Sequence, residues 1–75
     1  MGTFDSLMRR ADGLLDRACG TQFIGYARSA LDSAQRAFSV AADAYEAAES
    51  KRMIADAEDL VALMARGASV ARWGL

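Results

Sequence analysis

From Phe23 to Glu49 the apolar positions recur every seven residues. Ile24, Leu31, Phe38 and Tyr45 fall on one line, and Ala27, Ala34, Ala41 and Ala48 on a second. A third line is wet: Gly25, Ser29, Asp32, Arg36, Ser39, Asp43, Glu46 and Ser50. Alternating steps of four and three define a helix with one dry seam and one solvated back, expected over residues 22–48. The alanines let a neighbouring backbone approach closely while the larger side chains fill the space between. A flank of Phe23, Ala30, Ala37 and Ala44 widens the dry arc enough for two neighbours.

Upstream, Phe4, Leu7, Met8, Ala11, Leu14, Leu15 and Ala18 take the spacing of one helical face, which predicts a helix over 4–19. Thr3 is the expected cap and Asp5 sits favourably in the first turn. Gly20 is the expected left-handed stop, with Thr21 placed to cap the next helix.

Downstream the sevenfold seam fails, because its next positions are Arg52 and Asp59. A new stripe begins one residue late with Met53, Ile54, Ala57, Leu60, Val61, Met64, Ala68 and Ala71. Either the chain turns near 49–51 with Ser50 as a cap, or one helix continues from 22 to 65. Glu46 and Glu49 at a helix end, and Lys51 and Arg52 at a helix start, would oppose the dipole and argue against a break. An unbroken helix, however, would run roughly 66 Å, far beyond the reach of the first helix. Folding back at Ser50 also sets Tyr45 opposite Ile54 and Phe38 opposite Val61. The turn is therefore preferred, with a third helix over 51–72.

The expected fold is all-α: a short N-terminal helix packed on an antiparallel, alanine-rich helical hairpin, a three-helix bundle with coiled-coil-like packing. Seventy-five residues form a single small domain with a marginal core and no staple, so an oligomer is expected. The net charge of −1 is spread along the chain without a basic block, which counts against nucleic acid as a partner. No apolar run is long enough to span a membrane. The first helix has as many aspartates as arginines, so membrane-surface contact is disfavoured. Met1-Gly2-Thr3-Phe4-Asp5-Ser6 does fit a short acylation pattern at Gly2. A lone Cys19 suits a reducing, cytoplasmic setting.

The sequence contains no histidine, which removes the commonest general base and metal ligand. Asp12 with Asp16, and Asp56 with Glu58 and Asp59, read as solvated helix faces and not as metal or acid–base pairs. No catalytic, cofactor-binding or metal site is expected, and no cofactor. The function expected is a non-enzymatic protein–protein interaction module, a small self-associating structural or assembly subunit. The alternative is a small adaptor or inhibitor, of accessory or viral type, acting on one partner protein. Phe23, Ile24, Leu31, Phe38 and Tyr45 are the expected interaction seam, and Trp73 and Leu75 a tail contact.

Overall fold

The computed structural model describes residues 2–72. They form three helices without a strand: α1 (Thr3–Thr21), α2 (Ile24–Ser39) and α3 (Ala44–Ala65). Short connections make sequential helices antiparallel neighbours, and a hydrogen bond from Ser33 Oγ to the Leu7 carbonyl, at 2.8 Å, ties the second half of α2 to the first half of α1. The helices therefore run up, down and up along a body of 36 × 18 × 18 Å. The middle helix α2 packs extensively on both neighbours, whereas α1 and α3 touch only slightly.

Small residues make that middle position possible. Ala27, Ala30, Ala34 and Ala37 of α2 are all buried, forming one narrow stripe of small residues along the helix. With no side chain beyond Cβ, they let two backbones close in at once. The larger buried groups come from outside α2: Leu15 of α1, Leu60 of α3 and Val70, which with Ala18 and Ala57 join Ala27 and Ala30 in one core. Leu31, Met53, Val61 and Met64 pack against its margin.

The turn between α2 and α3 falls at 40–43, not at Ser50. Asp43 decides this: its Oδ1 accepts from the Glu46 backbone N–H at 2.8 Å. Glu46 answers by accepting from the Ala42 N–H at 2.9 Å, so two otherwise orphaned donors are satisfied at the start of α3. Ser50, expected as a cap on the wet line, is instead wholly buried inside α3. Its hydroxyl lies 2.9 Å from the Glu46 carbonyl and 3.0 Å from that of Ala47, so it needs no water.

The other helix ends are displaced as well. Gly2 precedes α1 as its cap residue, and Thr3 is already helical. Gly20 does not stop α1; the left-handed residue is Gln22, at φ 59°. Thr21 donates back to the Arg17 carbonyl at 2.7 Å, leaving Phe23 as the residue before α2 with no side-chain cap. The third helix ends at Ala65 instead of continuing to 72, because the chain reverses through Gly67 at φ 81°. A φ of that sign is cheap only for glycine.

Beyond Gly67 the chain returns as a strap across the end of α1. Val70 is buried in the core, and Gln22 holds its backbone from both sides: Nε2 donates to the Val70 carbonyl and Oε1 accepts its N–H, each at 2.9 Å. That pair of hydrogen bonds gives a physical reason for a non-glycine residue in the left-handed region.

Candidate interaction surface

The break at 40–43 rearranges the expected seam. Ile24 and Leu31 remain half-buried, and Leu31 packs against the core. Phe38 is 41 % exposed at the last turn of α2, and Tyr45 is carried onto α3 and left 71 % exposed. Val40, which the heptad did not single out, is 45 % exposed between them. These three large apolar residues lie within a few residues of the α2–α3 turn, at one pole of the molecule. The Lys51 ammonium stands 5.5 Å from the centre of the Phe38 ring, a cation–π contact that covers part of that ring.

Phe23 lies at the opposite pole, beside the strap, and is 58 % exposed. Its ring meets Tyr26 edge to face with centroids 5.5 Å apart. Gly25 makes room for this pose, since a Cβ there would come within 2.5 Å of the ring. Among the described residues, the four exposed large apolar side chains therefore divide between the two ends of α2, three at the turn pole and one at the strap pole. Trp73 and Leu75, the expected tail contact, lie outside the described residues.

Arg72 anchors the strap. Its Nη1 is 2.7 Å from Asp16 Oδ1 and its Nη2 is 2.9 Å from Asp12 Oδ1, with a further bond to the Asp12 carbonyl at 3.2 Å. Burial alone would lower the guanidinium pKa, but hydrogen bonds to Asp12 and Asp16 outweigh it and the net shift is upward. The aspartate pair is thus engaged by the chain's own arginine. Cys19 sits half-buried beside this anchor. Burial pushes its thiol pKa up; nearby Arg72 opposes that and Asp16 adds to it.

A shallow cavity of 590 Å³ lies along the α1–α2 seam, bordered by Leu7, Arg10, Arg28, Asp32 and Arg36. Arg36 pairs with Asp32 at 3.1 Å, both well exposed, so the pair contributes little to stability.

No family model, curated protein or solved structure matches the chain. Among the described residues, no helix is long and apolar enough to cross a membrane.

Sequence reasoning placed Phe23, Phe38 and Tyr45 on a surface shared with a neighbouring helix, but it missed Val40, Gln22 and Arg72. For the turn, a signal was present: Asp43-Ala44-Tyr45-Glu46 has the capping-box spacing. Nothing local marks Gln22 or Arg72, whose partners are 48 and 56 or more residues away.

Proposed function

We propose that this chain is a non-enzymatic protein–protein interaction module, a small self-associating assembly subunit. The observation that carries this reading is the exposure of Phe38, Val40 and Tyr45 together at the turn pole. Isolated exposed apolar residues are ordinary, but several at one site mark a contact surface. The chemistry available also supports a binding role. Histidine is absent, Asp12 and Asp16 are engaged by Arg72, and burial raises the Cys19 thiol pKa, which disfavours the nucleophilic thiolate.

A second reading, a small adaptor or inhibitor that docks on one partner protein, draws on the crowding of Phe38, Val40 and Tyr45 at one end, against Phe23 at the other. A single pole is enough for one partner. Light scattering after gel filtration, from low micromolar to millimolar concentration, separates the two. The assembly reading expects mass to rise with concentration. A strict monomer throughout eliminates it and leaves the single-partner reading.

A further inference from the structure

The 590 Å³ cavity between α1 and α2 has a basic border. Arg10, Arg28 and Arg36 stand around it against a single carboxylate, Asp32. Asp32 is already paired with Arg36 at 3.1 Å. Among the described residues Arg10 and Arg28 form no ion pair, so two guanidinium groups border the opening uncompensated.

Other charges of the chain do not cancel this pair. At about 100° per residue, Asp5, Arg9, Asp12 and Asp16 lie about 140° or more around α1 from Leu7, on its far side. Asp12 and Asp16 bind Arg72 there, and Asp56 and Asp59 of α3 border a separate cleft beside Leu15 and Leu60. Among the described residues, none of α3 lines the α1–α2 cavity. Arg17 lies two turns beyond Arg10 on the same line of α1 and adds positive charge.

Short side chains keep the groove open. Ser29 and Ser33 line it beside Leu7. The Ser33 hydroxyl is taken by the Leu7 carbonyl at 2.8 Å. That of Ser29 is exposed and, among the described residues, bonds to no protein group, which leaves it as a donor.

We propose that this groove binds a phosphate monoester, with Arg10 and Arg28 gripping the anion and Ser29 as a further donor. Charge selects the ligand class. A phosphate monoester carries about −1.5 to −2 at pH 7, which matches two unpaired guanidinium groups, whereas a carboxylate leaves one unmatched. The planar fork of arginine also meets phosphate oxygens two at a time. The cavity volume falls within the range of about 300–1,000 Å³ usual for small-ligand sites. This proposal holds whether or not the chain self-associates.

Nuclear magnetic resonance of the isotope-labelled full chain at low salt tests it, with glycerol phosphate as the probe. Saturable shifts are expected in the amides of residues 7–10 and 28–36, with affinity in the millimolar range that exposed contacts supply. Binding should strengthen several-fold between about pH 5.5 and 7, as the ester gains its second negative charge. The chain has no histidine to titrate in that interval. Acetate should bind several-fold more weakly.

Arg10→Gln and Arg28→Gln each place a good helix former at an exposed site, and circular dichroism checks that each keeps its helix content. Each is expected to weaken binding several-fold and the double variant to abolish it. Arg52→Gln, at an exposed site of α3 outside the groove, should leave it unchanged. Shifts that never saturate, shifts spread evenly over every arginine, or full binding by the double variant would overturn the proposal. So would equal affinity for acetate. A small organic phosphate and a phosphorylated side chain of another protein present the same group. A phosphoserine peptide separates them: tighter binding than glycerol phosphate supports the site as one for a phosphorylated segment, and equal binding supports a small-phosphate site.

Discussion

At the scale of single residues, Asp43 and Cys19 have the clearest consequences. Asp43 caps α3 through its 2.8 Å bond to the Glu46 N–H. Asp43→Ala should cost about 1 kcal/mol, read as a lower urea midpoint with an unchanged slope. Cys19 reports on burial at the strap. Because its pKa is raised, the folded state holds the thiol proton more tightly than the unfolded chain does. The stability this contributes is complete below the ordinary thiol pKa and declines as pH rises through and above it. Two measurements check this. Near pH 8 Cys19 should alkylate more slowly than cysteine in an unstructured peptide, and thermal stability should fall on the alkaline side less in Cys19→Ser than in wild type.

At the scale of elements, the alanine face of α2 is the controlling feature. Ala27, Ala30, Ala34 and Ala37 are buried with no space beyond Cβ left open to solvent. Ala34→Leu should cost about 1–3 kcal/mol or more, by forcing a neighbouring helix away. Its chemical denaturation curve should show this plainly, whereas Ala48→Leu, at an exposed site on α3, should change stability by less than about 0.5 kcal/mol. The periodicity made α2 legible because its buried face is set by local spacing. It misplaced the turn because a heptad count continues smoothly through Ala41 and Tyr45. The break came from Asp43 and Glu46, whose side chains satisfy backbone donors instead of simply facing water.

At the scale of the whole molecule, the strap joins the end of α3 to the end of α1. Val70 supplies most of its stabilisation, since burying a valine contributes roughly 1.5 kcal/mol or more. The Arg72 bridges contribute less, because Asp12 and Asp16 remain more than half exposed and such pairs are screened. Val70→Ser should therefore lower the melting temperature more than Arg72→Ala does. Only the smaller Arg72→Ala difference should vanish in high salt. Equal losses, or a salt-independent Arg72 effect, would show that the anchor and not the core contact holds the strap.

The sequence by itself determined that the chain is helical and most of the dry stripe of each helix, but not the turn, which it set near Ser50, nor the surroundings of Tyr45 and Ser50 beside it. Helicity and the stripes depend on neighbours within a turn or two, so spacing and residue type carry them. Tertiary structure decided the rest. It placed α2 between its neighbours, turned Phe38, Val40 and Tyr45 out to one end, and brought Gln22 to Val70 and Arg72 to Asp12 and Asp16. Those contacts join residues far apart in the chain, and their geometry is fixed by where the helices pack and end. No local pattern encodes that.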